Sequence, residues 1–263
     1  MKLDDVKISE AIIKSYMRKL LSVLKTDVAI VGGGPAGLTA AYCLARAKKK
    51  VVLFERKLSL GGGIWGGGMQ FNEIVVQEGG RKILREFGIR TTGARKGYYC
   101  ADAVEVASTL CSKAIQAGAR VMNLLSVEDV MVEKERVTGL VINWSAVEMA
   151  GLHVDPISVR SKFVIDATGH ATEIAHLIEE KTGPGLATES GGVIGEGSMW
   201  ADQAEVLTME NTREIFPNVY VAGMAANAVF GGPRMGPIFG GMLMSGKKVA
   251  DLILRRLESE NLR

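Results

Sequence analysis

All three histidines of the chain lie between residues 153 and 176. His153 and Asp155 are two residues apart, so an extended backbone would point both side chains to one face. His170 follows a strand-like segment and a glycine, a loop position from which a side chain can face a ligand cleft. Two imidazoles and one carboxylate could form a facial triad for non-haem iron. Surface histidines and an Asp-Pro turn explain the same spacing without a metal, and His176, within a helical pattern, fits that alternative best.

The element that would position a ligand beside these groups is a βαβ unit near the amino terminus. Its pattern is a strand, DVAIV, a turn, GGGPAG, a helix, LTAAYCLARA, and a second strand, VVLFE. Gly32, Gly34 and Gly37 form the GxGxxG fingerprint between strand and helix, which predicts a pyrophosphate at the helix N-terminus. Glu55 ends the second strand, where it can accept hydrogen bonds from the adenosine ribose. A carboxylate there favours NAD over NADP, although the neighbouring Arg56 would attract a 2′-phosphate.

The remaining patterns predict an α/β protein with a Rossmann-type fold of the FAD/NAD-binding kind and a parallel central sheet. Apolar residues at helical spacing predict an amphipathic helix within residues 1–25, with Ser9 as a candidate cap near its start. Residues 26–263 are predicted to form a single dinucleotide-binding domain. Strand patterns dominate residues 120–165, which predicts a smaller β-sheet inserted into this domain.

Composition excludes several classes of protein. The 32 basic and 29 acidic residues leave a net charge of +3, without a polycationic face for nucleic acid. No apolar run is long enough to cross a membrane, and charges interrupt the first 25 residues, so no signal peptide is expected. Three cysteines, at positions 43, 100 and 111, form no CxxC pair and fit a reducing compartment, which predicts a cytoplasmic protein.

The segment DVAIVGGGPAGLTAAYCLARAKKKVVLFER resembles the FAD-binding superfamily, so an FAD-dependent oxidoreductase is one candidate function. Flavoproteins of that kind usually carry an acidic residue after the late strand-glycine pattern, where NVYVAGMAANA places Met224. A chain of 263 residues also leaves little room for the extra domains that such enzymes often add. A dinucleotide-binding scaffold without catalytic activity is a third candidate.

A more specific resemblance covers nearly the whole chain. The motifs WSAVEMAGLHVDPI, DATGH and VAGMAANAVFGGPRMGPIFGGMLMSGKKVA, together with GGGPAGL and GGGIWGGGM, resemble the thiamine thiazole synthase family, especially its archaeal-type members. The resemblance implies that NAD loses nicotinamide, that the ADP-ribose moiety isomerises and condenses with glycine, and that sulfur is added. The product would be an adenylated thiazole carboxylate, and NAD would be a substrate.

The resemblance also implies how sulfur is supplied. Some members donate sulfur from their own cysteine, but this chain has His153 at that position. This implies the branch that uses free sulfide and iron(II) and turns over repeatedly. Asp155 and His170 match the iron ligands of the family, contributed by adjacent subunits of a homo-oligomer, an octamer. His153 is then a catalytic neighbour that also contacts NAD, with a third iron ligand as its alternative role.

Other positions carry expected contacts to substrates. The residues expected to touch NAD, besides the fingerprint glycines and Glu55, are Ala36, Arg56, Gly63, Val127, His153, Val154, Asp155 and Met224. Arg234 is suited to bind the glycine carboxylate through a bidentate fork, with a structural ion pair as the alternative. Ala171 stands where relatives are expected to have an acidic residue. If that acid orients His170, its loss would weaken metal binding.

Overall fold

An eight-stranded sheet forms the centre of the computed structural model, which describes residues 2–261, with the side chain of residue 261 excepted. The strands are β1 (Lys25–Val31), β2 (Val51–Glu55), β3 (Glu73–Val76), β4 (Thr92–Arg95), β5 (Tyr98–Asp102), β6 (Arg120–Asn123), β7 (Leu125–Glu133), β8 (Arg136–Trp144), β9 (Ile157–Asp166), β10 (Glu214–Phe216) and β11 (Val219–Val221). The central order is β10-β11-β9-β1-β2-β6, and the strands from β11 to β6 run parallel. The predicted α/β class with a mostly parallel sheet is therefore confirmed.

Helices cover the sheet. They are α1 (Asp5–Val23), α2 (Pro35–Arg46), α3 (Glu78–Phe87), α4 (Ala103–Ala117), α5 (Ser145–Met149), α6 (Glu173–Thr182), α7 (Ala201–Asn211), α8 (Met224–Val229) and α9 (Gly240–Asn261). In β1, Val28 and Ile30 join the core formed with α2, α4 and α9, whereas Ala29 and Val31 join the core on the opposite face. Both faces of the strand are buried, which is why its sequence is continuously apolar.

The amino-terminal helix begins earlier than the sequence suggested. Asp4 is the N-cap, and its carboxylate accepts a hydrogen bond from the amide of Val6 at 3.0 Å. The proposed cap, Ser9, lies inside the helix and donates to the carbonyl of Asp5, so that interpretation was wrong. Most apolar side chains of α1 remain exposed in the single chain. None of the helices within residues 2–261 has the length and apolar content needed to span a bilayer.

The antiparallel strands are arranged differently from the predicted inserted sheet. β7 pairs with β8, and β8 pairs with β9, so the strands within residues 120–165 extend the central sheet. The separate small sheet has the order β3-β5-β4 and lies within residues 73–102. The sequence did not indicate these strands because each is short and none is a continuous apolar run, and β4 is exposed along its whole length.

Candidate active site

A cleft of about 650 Å³ opens at the carboxyl ends of the parallel strands. The chain leaves β1 for β2 on one side, and β9 pairs with β1 on the other side. This reversal of strand order is the switch point at which open α/β sheets bind ligands. The volume lies within the usual range for small-molecule and cofactor sites, about 300–1,000 Å³.

The three fingerprint glycines are needed for different structural reasons. Gly32 has φ +100°, and a Cβ atom there would overlap the carbonyl oxygen of Ala167. A Cβ at Gly37 would overlap the carbonyl oxygen of Gly32, so this glycine lets α2 pack against the turn and does not itself line the cleft. Gly34 is the N-cap of α2 and has open space where a Cβ would stand. Pro35, the first residue of α2, has no N–H, so the amides of the two residues after it, together with this open space, favour an anionic group at the turn.

Glu55 is held at the edge of the cleft by the backbone. Its Oε2 accepts from the amide of Gly33 at 2.9 Å, and its Oε1 accepts from the amide of Lys57 at 2.8 Å. The side chain is only 8% exposed, so its position is fixed. Each carboxylate oxygen can accept more than one hydrogen bond, which leaves capacity for ribose hydroxyls.

Arg56, which also lines the cleft, is paired with a residue that the sequence did not single out. Its Nη1 lies 2.7 Å from Oε1 of Glu173, the first residue of α6. Burial raises the pKa of Glu173, and the Arg56 guanidinium opposes that rise. Arg56 is therefore engaged by an acid, which reduces its availability to a 2′-phosphate.

Asp166, at the end of β9, organises the loop that carries His170. The carboxylate is fully buried and accepts hydrogen bonds from Thr168 and from the first turn of α6, at Ile174 and Ala175. Burial raises the pKa of Asp166, and these hydrogen bonds oppose the rise. This network fixes both ends of the DATGH turn.

His170 and Arg234 both line the cleft, and both approach Glu196. His170 Nδ1 lies 2.6 Å from Oε1 and 2.8 Å from Oε2 of Glu196, and the Nε of Arg234 lies 3.9 Å from Oε2. Arg234 remains 62% exposed, so most of its donors are free for another carboxylate. Glu196 was not recognised from the sequence, although it stands between glycines in the stretch SGGVIGEGS.

The other predicted contacts divide into two groups. Those that line the cleft, besides the residues already described, are Ala36, Gly63, Val127 and Met224. His153, Val154 and Asp155 do not line it and are exposed on the segment between α5 and β9. The single chain therefore does not bring Asp155 into the cleft with His170, and ligation by this pair stays a prediction.

The donor set fits a metal ion only in part. Within residues 2–261, no group of three or more His, Cys, Asp and Glu side chains is arranged to hold a metal ion. His170, however, has the carboxylate partner on its second nitrogen that metal-binding histidines usually have. The described part of one chain thus offers a single imidazole at the cleft that is oriented by a carboxylate in this way.

The three cysteines are free and none lines the cleft. Burial raises the pKa of the Cys43 thiol to about 11 and also raises the pKa of Cys111. A high pKa keeps these thiols protonated and poorly nucleophilic near neutral pH.

The fold and the cleft define a Rossmann-type α/β protein with a nucleotide-sized site at the switch point. A model of the Thi4 family matches residues 9–239. The thiamine thiazole synthases of Methanothermobacter thermautotrophicus and Pyrococcus horikoshii are 63% identical over 258 residues and 55% identical over 257 residues. Each comparison covers 98% of this chain and 100% of the relative. The crystal structure of Thermovibrio ammonificans THI4 matches with a TM-score of 0.95 and 53% identity, over 98% of this chain and 100% of that chain. The chain belongs to the Thi4 family, which confirms the resemblance found in the sequence.

Proposed function

We propose that the chain is a thiamine thiazole synthase that converts NAD, glycine and free sulfide into an adenylated thiazole carboxylate, with release of nicotinamide and repeated turnover. Family membership supports the synthase activity. The observation that carries the finer proposal is the arrangement of one cleft: Glu55 at the end of β2, the open glycine turn, and His170 with Arg234 beyond β9.

The cleft suggests an orientation for NAD. Glu55 would accept hydrogen bonds from the adenosine ribose, and the first amides of α2 would hold the pyrophosphate. The nicotinamide ribose would then extend toward His170 and Arg234. The guanidinium of Arg234 would bind the carboxylate of glycine through two parallel hydrogen bonds and so hold its amino group beside the sugar.

Iron(II) would be held by His170 of one chain and Asp155 of another, and when bound it would supply Lewis-acid activation. His153, two residues before Asp155 in the same exposed segment, would enter such a shared site as a proton carrier. The exposed apolar residues on α1, at the end of α5 and on the segment after it support assembly of copies, because apolar side chains left exposed in one chain favour an interface. They are Val6, Ile8, Ile12, Ile13, Met17, Leu21, Met149, Leu152 and Val154.

Free sulfide is the sulfur source that the cysteine positions favour. The residue in the sulfur-donor position is His153, which has no sulfur to give. The pKa of Cys43 and of Cys111 is raised by burial, and the cleft contains no thiol within the described part of the chain.

The test combines the purified full-length chain with NAD, glycine, sulfide and iron(II) under anaerobic conditions and follows products by mass spectrometry. More than one adenylated thiazole per chain is expected. His170→Ala and Asp155→Ala should abolish it, whereas the matched control His176→Ala should not. No thiazole under any metal and reductant condition would defeat the proposal. A yellow protein with flavin absorbance would instead favour an FAD-dependent oxidoreductase, and tight NAD binding without conversion would favour a scaffold.

A second experiment tests whether the site is shared. His170→Ala and Asp155→Ala chains are each inactive alone, but a shared site can combine the intact residue of each. Mixed oligomers formed by co-expression should therefore regain activity. Mixed oligomers as inactive as the single variants would contradict the shared site.

A further inference from the structure

We propose that Glu196 is the positioning residue for His170, a role that rests on the proposed metal site and extends it. The carboxylate can only accept hydrogen bonds, so the His170 nitrogen beside it, Nδ1, must carry the proton. The other ring nitrogen, Nε2, then keeps its lone pair free for a metal ion. Glu196 thus selects the tautomer and the ring orientation that a metal ligand needs.

The burial of the two side chains agrees with this assignment. The Glu196 side chain is only 15% exposed, whereas that of His170 is 54% exposed. The carboxylate therefore lies beneath the ring and holds it from the protein side, and the imidazole is presented to the cleft. A hydrogen bond to an ionised, mostly buried carboxylate is stronger than a hydrogen bond between two neutral groups.

The backbone around Glu196 is itself fixed. The amide of Gly195 donates to Ala228 at 2.9 Å, and the amide of Gly197 donates to Gly232 at 3.0 Å. The amide of Arg234 donates back to the carbonyl of Gly197 at 3.3 Å. Gly195 has φ +94°, a conformation that L side chains rarely adopt. Gly195 therefore gives the loop the conformation in which it bonds to the segment that carries Arg234.

This arrangement answers the question raised by Ala171. An acid next to His170 in sequence was expected to orient the ring, and the chain has none there. Glu196 provides the carboxylate from a distant loop instead. Because the same carboxylate also approaches Arg234, it sets the spacing between the metal ligand and the group proposed to bind glycine.

The experiment is a titration of the metal-free, full-length protein with Co(II), followed by visible absorbance. Removal of a residue that hydrogen-bonds to a metal-binding histidine typically lowers metal affinity about 10- to 100-fold. We expect a loss of that size for Glu196→Ala and a smaller one for Glu196→Gln, whose amide oxygen can still accept from Nδ1. His170→Ala should lose the site, and His176→Ala should match the wild type. NAD affinity and the melting temperature are measured on every variant.

The outcomes separate the two proposals. Co(II) binding by the wild type with unchanged affinity in Glu196→Ala overturns the positioning role and leaves the proposed function standing. A parallel loss of NAD affinity, metal affinity and melting temperature in both Glu196 variants also overturns it, because it would reveal collapse of the cleft. Absence of Co(II) binding by the wild type overturns the metal site and the positioning role together.

Discussion

The pair formed by Arg56 and Glu173 gives a test of the proposed preference of the cleft for NAD over NADP. The Arg56 guanidinium lies 2.7 Å from the Glu173 carboxylate. Replacing Glu173 with Gln removes one negative charge from the cleft and frees this guanidinium to bind a 2′-phosphate. Glu55 would remain as the acceptor for the ribose hydroxyls. NAD has no charge at the 2′ position, so its affinity should change little, whereas NADP should bind more tightly.

The magnitude follows from the distances and the exposure. Two unit charges 4 Å apart interact by about 1 kcal/mol in water and about 4 kcal/mol at the effective dielectric near a protein surface. Because Arg56 is half exposed, the expected gain in the binding free energy of NADP lies in the lower part of this range, at about 1–2 kcal/mol. That corresponds to a roughly 5- to 30-fold fall in the Kd for NADP relative to NAD.

Isothermal titration calorimetry with NAD and with NADP, without sulfide or metal ion so that nothing turns over, measures the two dissociation constants. Repeating the titrations at higher salt should shrink the gain, because partly exposed charges are screened. Glu78→Gln, which breaks the Arg81 ion pair outside the cleft, is the matched control. A ratio of the two constants that stays within twofold of the wild type, or equal gains for both nucleotides, would refute the reasoning.

Three further predictions concern the fold and the cleft. Gly37→Ala should lower the free energy of unfolding by about 1–3 kcal/mol or more, because its Cβ would overlap the Gly32 carbonyl. Gly34→Ala should keep the melting temperature of the wild type and lose only nucleotide affinity in the calorimetric titration. Arg234→Ala should raise the KM for glycine at least 10-fold, because a charge-assisted hydrogen bond contributes about 1.5–3 kcal/mol. Burial raises the pKa of Glu205, so the folded state holds that proton more tightly and stability falls as pH rises above the ordinary value of 4.5. Glu205→Gln should remove this fall and stabilise the chain at pH 7 by about 1–3 kcal/mol in urea unfolding, because a neutral amide avoids the cost of burying a charged carboxylate, which the contact with the backbone of Gly241 does not offset.

The position of the glycine turn and of Glu55 at the cleft could be predicted because the signals in the sequence are local. Gly32, Gly34 and Gly37 follow one strand and precede one helix, so their spacing alone defines the turn. Glu55 ends the next strand, and parallel strands present their carboxyl ends at one edge of the sheet. Gly32, Gly34 and Glu55 line the cleft in the structure, and their contacts with a nucleotide stay a prediction.

The acidic partners could not be predicted because they meet their bases only in the folded chain. Glu173 begins α6 and Glu196 lies in an irregular loop, and no periodic pattern connects either residue with Arg56 or His170. The glycines around Glu196 were the single available signal. They indicated that the backbone comes close to another group, but they did not identify that group. The antiparallel strands β3, β4 and β5 were missed for a different reason: they are short, and unlike β2 they are not buried along their whole length, so neither a period nor an apolar run marks them.

The arrangement of charges explains why the chain would need a second copy to act. Two of the basic side chains at the cleft have a close carboxylate partner: Glu173 for Arg56, and Glu196 for His170. Both of these acids are engaged in holding other groups, so neither is free to serve as a further ligand. The carboxylate that the sequence suggests for this purpose, Asp155, is exposed outside the cleft. One chain thus has an oriented His170 in the cleft but no Asp155 beside it. This arrangement is expected if the proposed reaction takes place at an interface between two subunits.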